Sequence, residues 1–295
     1  MIQYIIRSMR ISQWVKNLFF LAPLVFSKTL FDADRLARAT VGFVLLSLIS
    51  SACYLINDWR DKETDRLHPE KSRRPIAAGL LTGRAVLGAA GLLAALGILL
   101  ALFLLGYSTA SIFALFFLTG LWYSFRLRDV EFLDIFVIAA LFALRVLAGG
   151  QAIRVEISEW LLAATFFISL LLALGKRRHE LLILGAGARR HRKVLGSYSA
   201  VLLDQMIALV AAATCVSYLL YTLSDYALLK FGTDALFFTS PFVVYGLFRF
   251  YALVYDASRD ESPTDLLLKD VRLRVNTLLW LLAIVALIYG RRFSG

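Results

Sequence analysis

The stretch Asn57-Asp58-Trp59-Arg60-Asp61-Lys62-Glu63-Thr64-Asp65 follows an apolar run, 38–56, long enough to be a membrane span. At 100° per residue, Asp61 lies about 300° and Asp65 about 340° around a helix from Asp58. The three carboxylates therefore share one face, with Asn57 at its edge and Glu63 pointing the other way. Like charges at this spacing repel unless something neutralises them. A hard divalent cation does so, and Mg2+ characteristically takes only one or two carboxylates, completing its shell with water and substrate phosphate. Carboxylates grouped at a membrane edge are costly and therefore point to function.

Basic residues follow at once: Arg66, Lys71, Arg73 and Arg74, then Pro75. A metal takes some oxygens of a diphosphate and guanidinium forks take others, so an acidic face beside an Arg/Lys loop suits that ligand. Part of this charge is what any cytoplasmic loop of a membrane protein carries.

The rest of the chain agrees with a membrane setting. It is 60% hydrophobic with a mean hydropathy of +0.73, which rules out an ordinary soluble domain. Nine candidate spans run over 18–35, 38–56, 84–105, 108–125, 134–153, 158–175, 200–222, 236–255 and 275–290. The first is interrupted by Pro23 and Lys28. The expected fold is an all-α integral membrane bundle forming a single domain over 1–295.

Orientation follows from the basic residues. With the N-terminus inside, segments 1–17, 57–83, 126–133, 176–199 and 256–274 hold 22 of the 32 Lys and Arg, and the opposite segments hold 7. That asymmetry predicts N-in, C-out in the cytoplasmic membrane, with the active site on the cytoplasmic side. The net charge of +11 is explained by this bias and by a polyanionic substrate, and no RNA- or DNA-binding motif supports a nucleic-acid partner. Cys53 and Cys215 are isolated in apolar segments and read as packing residues. The N-terminus, with Arg7, Arg10 and Lys16 and no small-residue cleavage site, reads as a retained first helix. No internal repeat supports a transporter built from inverted halves. The Ala- and Gly-rich run 85–97 reads as close helix packing.

The pattern Asn-Asp-x-x-Asp-x-x-x-Asp over 57–65 resembles the first signature of the UbiA superfamily of intramembrane prenyltransferases. The resemblance implies a nine-helix bundle whose cytoplasmic loops cap a central cavity and whose chemistry uses Mg2+ and a diphosphate substrate. It implies Asn57, Asp58, Asp61 and Asp65 as metal ligands. The family's second signature, Asp-x-x-x-Asp after the fourth span, is altered here: Asp129 and Asp134 are five apart. One straight helix would not present both on one face, so Asp134 alone is expected to act, with Asp58 and Asp61. Arg145 shares a face with Asp134, about three turns on, and needs either an anionic ligand or an acid on another span.

Several segments resemble one branch of that superfamily, the decaprenyl-phosphate phosphoribosyltransferases. They are Arg10-x-x-Gln13-Trp14-Val15-Lys16-Asn17, the loop from Asp65 to Gly79, and Tyr123-Ser124-x-x-Leu127-Arg128 followed by Asp134. Arg145 to Gly150, Gly175-Lys176-Arg177-x-x-Glu180-Leu181 and the 262–270 segment also match. The branch implies transfer of 5-phosphoribose from phosphoribosyl diphosphate to a polyprenyl phosphate, releasing diphosphate, for cell-envelope arabinan precursors. Substrate contacts are then expected from Lys16, Asn17, Asn57, Arg66, Lys71, Arg74, Tyr123, Arg145, Lys176, Arg177 and Glu180. The lipid phosphate is already ionised, so no strong base is needed, and none of His68, His179 or His191 is expected to serve as one. The bilayer is the other partner, and a second copy of the chain is a candidate one. The alternatives are a same-fold enzyme prenylating an aromatic or glycerol-phosphate acceptor, and a membrane transporter or lipid-binding protein without chemistry.

Overall fold

The computed structural model describes residues 1–67, 71–184, 193–256 and 269–293. His68, His191, the basic residues Arg189, Arg190 and Arg192, and most of the 262–270 segment lie outside the described residues. Among those described, every regular element is helical. Eight helices among the described residues are long and apolar enough, by length and composition, to cross a membrane. The chain divides into two compact units, Met1–Ile157 and Ser158–Gly295.

The first unit contains α1 (Ile2–Ser8), a 3-10 run (Ile11–Leu21), α2 (Ala22–Phe26), α3 (Ala33–Arg60), α4 (Lys62–Arg66), α5 (Gly83–Leu104), α6 (Tyr107–Phe125) and α7 (Leu133–Ile153). α3 is its central post. It packs on α5, α6, α7 and the 3-10 run, and its most apolar window is 61% buried against 28% for α5. Asp32 starts α3 by accepting a bond from the Arg35 N–H at 3.1 Å, which satisfies one of the orphan donors of the first turn. Phe20, Leu46, Ile49 and Phe113 fill the core between these helices. α7 approaches the 3-10 run so closely that a methyl group on Gly149 would collide with the carbonyl oxygen of Phe20. Only a residue without Cβ permits that backbone contact.

The expected span over 18–35 does not form as one helix. Its apolar residues belong to the shorter segment Ile11–Phe26. There a 3-10 run passes into the five-residue α2 with Pro23 in its first turn. Proline is tolerated at a helix start, where its missing N–H has no partner to lose. Lys28, at φ 60°, then turns the chain before α3 begins. The other eight spans fall on long helices, three of which run further than expected: Ala33–Arg60, Glu159–Leu184 and Val271–Phe293.

The far end of the first unit is stapled by Arg38. Its guanidinium donates to the Ala152 carbonyl at 2.7 Å, to Leu105 at 3.0 Å and to Leu104 at 3.5 Å. These are the last carbonyls of α7 and α5, which have no partner within their own helices.

The second unit contains α8 (Glu159–Leu184), a 3-10 turn (Lys193–Gly196), α9 (Ala200–Thr222), α10 (Asp225–Phe231), a 3-10 turn (Ala235–Thr239), α11 (Ser240–Val254) and α12 (Val271–Phe293). Ser199 caps α9 through the Leu202 N–H at 3.1 Å. Asp270 holds the α12 start: it accepts from the Leu273 N–H at 2.9 Å and from Arg249 of α11 at 3.1 and 2.6 Å. Asp204 of α9 collects Arg178 of α8 at 2.6 Å and the Tyr255 hydroxyl at 2.7 Å. Cys53 and Cys215, one in each unit, are both free thiols.

Candidate active site

The site is built at the end of α3. The helix breaks at Asp61, whose backbone has ψ near 4°, yet the helical bonding carries across: Asp61 N–H to Asn57 at 3.0 Å and Asp65 N–H to Asp61 at 2.8 Å. The near-helical spacing of the acids therefore survives. Asp58 and Asp65, only about 20° apart around an ideal helix, face the same guanidinium nitrogen. Arg74 Nη1 lies 3.2 Å from Asp58 Oδ1 and 2.6 Å from Asp65 Oδ2. Asp61, offset by about 60° from Asp58, turns to a different cation. Arg128 grips it with Nη1 at 2.5 Å and Nη2 at 2.7 Å, while Asn57 donates to the same carboxylate at 3.4 Å.

Two more arginines complete the lattice. Arg10 bonds Asp58 through Nη2 and through Nε at 3.1 Å, with its guanidinium 5.4 Å from the Tyr54 ring centroid. Arg60 reaches Asp129 at 3.3 Å. Asp129 in turn lies 3.8 Å from Arg128 Nε. Asp58 and Asp65 are 3% and 5% exposed, so these charges sit at low dielectric, where an unpaired carboxylate would be costly. Burial by itself would lower the Arg128 pKa, but the hydrogen-bonded Asp61 and the charges of Asp61 and Asp129 outweigh it and hold the group above the ordinary arginine value. Arg128 is therefore a permanent cation.

Asp129 and Asp134 lie on separate elements. α6 ends at Phe125, a 3-10 turn holds Leu127–Asp129, and Phe132 at φ 62° precedes α7. Asp134, 0% exposed, sits in the first turn of α7, where the helix dipole favours an anion. Tyr123 lies in the last turn of α6 and adds to the field around Arg128. Lys71 is on the short 3-10 turn Lys71–Arg73. Lys16 is in the 3-10 run that follows Arg10.

Other expected contacts take different places. Arg66 faces away from the acids: it bonds Glu63 at 3.0 and 2.8 Å and the Ala77 carbonyl at 3.0 Å, tying α4 to the loop before α5. Asn17 and Arg145 meet in the core. Arg145 Nε donates to Asn17 Oδ1 at 2.8 Å and Nη1 to the Leu141 carbonyl at 2.9 Å, and its guanidinium lies 4.7 Å from both the Phe116 and Phe142 ring centroids. Among the described residues, the polar side-chain partner of Arg145 is this neutral amide rather than an acid on another span. Lys176, Arg177 and Glu180 lie on α8 in the second unit, where Arg177, 1% exposed, bonds Glu180 at 2.8 Å.

Arg10, Arg60 and Arg128 are not among the expected partners of the acids, although all three stand inside the motifs named above. Nothing in helical periodicity links Asp58 to a residue 48 positions earlier or Asp61 to one 67 positions later.

The donor set suits a hard cation. Arg74 Nη1 already bridges two carboxylates, standing where a cation would be shared. Among the described residues no three Asp, Glu, His or Cys side chains converge to hold a metal by themselves. One or two protein carboxylates with the remaining positions open to water and phosphate is the arrangement Mg2+ adopts.

Comparison with known proteins gives the family and the fold. The family model described as the UbiA prenyltransferase family matches residues 18–269. A decaprenyl-phosphate phosphoribosyltransferase of Mycolicibacterium smegmatis is 36% identical, over 97% of this chain and 92% of its own length. One from Corynebacterium glutamicum is 34% identical, over 96% and 86%. Among solved structures, a UbiA homolog from Archaeoglobus fulgidus bound to GPP and Mg2+ superposes with a TM-score of 0.73 at 17% identity, covering 97% of this chain and 99% of that one. A digeranylgeranylglyceryl phosphate synthase gives 0.66 at 17%, covering 97% of each chain. At that identity the structural likeness speaks for the fold alone. With its apolar helices and its aspartate-rich motif, the chain is a multi-pass membrane protein and belongs to the UbiA prenyltransferase family.

Proposed function

We propose that this chain transfers 5-phosphoribose from phosphoribosyl diphosphate to a polyprenyl phosphate, releasing diphosphate. The observation that carries the reading is near-full-length similarity, at 32–36% identity, to proteins named decaprenyl-phosphate phosphoribosyltransferase. In the reaction the bond between the anomeric carbon and the diphosphate oxygen breaks, and an oxygen of the lipid phosphate forms the new bond to that carbon. Positive charge develops at the ribose and negative charge on the leaving diphosphate.

The chain's residues take roles that suit this charge flow. Asp58 and Asp65, with Asn57 and Asp61, would hold Mg2+, which when bound supplies Lewis-acid stabilisation of the leaving group worth several kcal/mol. Arg74, Lys16 and Lys71 bind phosphate oxygens; preorganised cations stabilise the departing diphosphate without reorganising. Asp134 orients the ribose. Arg177 and Glu180 steady the α8 end. The acceptor phosphate is anionic at neutral pH and attacks without a general base. The site faces the cytoplasm, as the basic-residue asymmetry requires, and the product is a lipid-linked phosphoribose, a precursor of arabinose donors for cell-envelope glycans.

Donor competition tests this reading. The purified protein is given Mg2+ with either phosphoribosyl diphosphate and polyprenyl phosphate, or an isoprenyl diphosphate and an aromatic or glycerol-phosphate acceptor, and diphosphate release is followed. Release from the first donor alone is expected. Release from the isoprenyl diphosphate, with an aromatic or glycerol-phosphate acceptor consumed, would replace the proposed substrate while keeping the fold.

A further inference from the structure

Every acid of the Asn57–Asp65 motif that faces the site is already hydrogen-bonded by a guanidinium: Asp58 by Arg10 and Arg74, Asp65 by Arg74, Asp61 by Arg128. With the Arg60–Asp129 pair, four carboxylates are matched by four arginines. These eight charges balance one another, and the most buried of the four carboxylates, Asp58, cannot be left without a cation. The Asp58 side chain is 4% exposed, and stripping a buried charge of its partner is among the more expensive single changes. A divalent ion arriving alone would have to displace an arginine and leave the lattice positive. A diphosphate arriving alone would draw arginines off the acids and leave those bare. The two together add charge of opposite sign, and each gives the other's displaced partner somewhere to go.

We infer that Arg10 is the resident counter-ion of Asp58 and makes metal and diphosphate bind as a pair: it yields the carboxylate to the metal only when a diphosphate arrives to receive its guanidinium. This deepens the proposed function and rests on its assignment of Asp58 to the metal. Arg10 is the member of the lattice built for the exchange. It grips Asp58 with two nitrogens, the fork geometry that fits a phosphate equally well. Its side chain is 25% exposed where Asp58 is 4%, so it approaches from the open side. Its backbone stands at the joint between α1 and the 3-10 run in the left-handed region, φ 52° and ψ 54°, unusual for a residue with a Cβ and characteristic of positions held under local constraint. The flanking chain is fixed: the Met9 carbonyl accepts from Ser51 Oγ at 3.0 Å, and Trp14 Nε1 donates to the same hydroxyl at 3.0 Å. The side chain can therefore change partner while its root stays in place. Arg10 is a positioning residue on this account.

The test is Mn2+ binding to the full-length protein in detergent, read from the loss of the free-ion EPR signal, with and without inorganic pyrophosphate and corrected for Mn2+ that pyrophosphate holds in solution. In the unmodified protein pyrophosphate should tighten Mn2+ binding by about ten-fold or more. Arg10→Gln should bind Mn2+ alone about ten-fold more tightly and gain little from pyrophosphate, and Arg10→Lys should restore the dependence. Equal Mn2+ affinity with and without pyrophosphate in the unmodified protein overturns the inference, whatever the variants do. So does an Arg10→Gln variant of unchanged melting temperature whose Mn2+ affinity alone is not raised. Asp58→Asn separates the two claims: if it binds Mn2+ like the unmodified protein, the metal assignment of Asp58 fails and takes the exchange with it, whereas weakened Mn2+ binding there beside an unaltered Arg10→Gln overturns the exchange alone. No phosphoribosyl donor is used, so a wrong donor leaves the result intact.

Discussion

Arg145 on α7 donates its Nε to the Asn17 side-chain oxygen across 2.8 Å, with both residues almost wholly buried. The amide is spoken for on all sides, donating to Ser47 at 2.9 Å and accepting from Ser50 at 3.2 Å. One polar core unit thus locks the 3-10 run to α3 and α7. Asn17→Ala would leave a buried guanidinium short of an acceptor and should cost about 1.5–3 kcal/mol, seen as a lower melting temperature in detergent. An unchanged melting temperature would show that the pair does not hold the unit together.

Asp58 and Asp61 divide the motif between two sets of arginines. Alanine at either position should reduce turnover by more than about a hundred-fold, because leaving-group stabilisation is lost. The variants should remain folded, since the arginines they release are partly exposed and can be hydrated. Normal turnover in both would remove the motif from the chemistry.

Arg128 holds Asp61 with two parallel bonds, which a lysine cannot reproduce. Arg128→Lys keeps the charge and loses the fork. A rise of about ten-fold in the KM for the diphosphate donor, with a smaller change in kcat, is the expected outcome of steady-state kinetics. Unchanged KM would mean that the charge alone suffices there.

Arg38 is the control for the site. It sits twenty residues before Asp58 on α3, about 30 Å along the helix, and caps the last carbonyls of α5 and α7. Arg38→Ala should lower stability by about 2 kcal/mol while leaving the donor KM unchanged. A changed KM at unchanged stability would contradict the separation of staple and site.

The helical spans were legible because apolar runs with clear caps leave little choice. The expected 200–222 span coincides with Ala200–Thr222, which Ser199 starts. Hydropathy could not show that Lys28 adopts a positive φ, so the apolar N-terminal segment ends at Phe26 rather than at 35, and α3 starts at Ala33 rather than at 38. It also undercounted α8, whose residues beyond 175 open with Lys176, Arg177 and Arg178 and so look like loop. In the site, helical period alone sets Asp58 beside Asp65 and turns Glu63 outward, and that is where they lie. The cations facing those acids come from other elements, and pairing between elements is set by packing rather than by period. For the same reason the Arg145 partner could not be read from α7 alone.

The most direct measurement gives the purified protein radiolabelled phosphoribosyl diphosphate, a polyprenyl phosphate and Mg2+, and follows label into the organic phase. The account predicts transfer that depends on the lipid phosphate and stops on addition of EDTA. Label that stays in the aqueous phase with all components present, from protein shown to be folded, would contradict it.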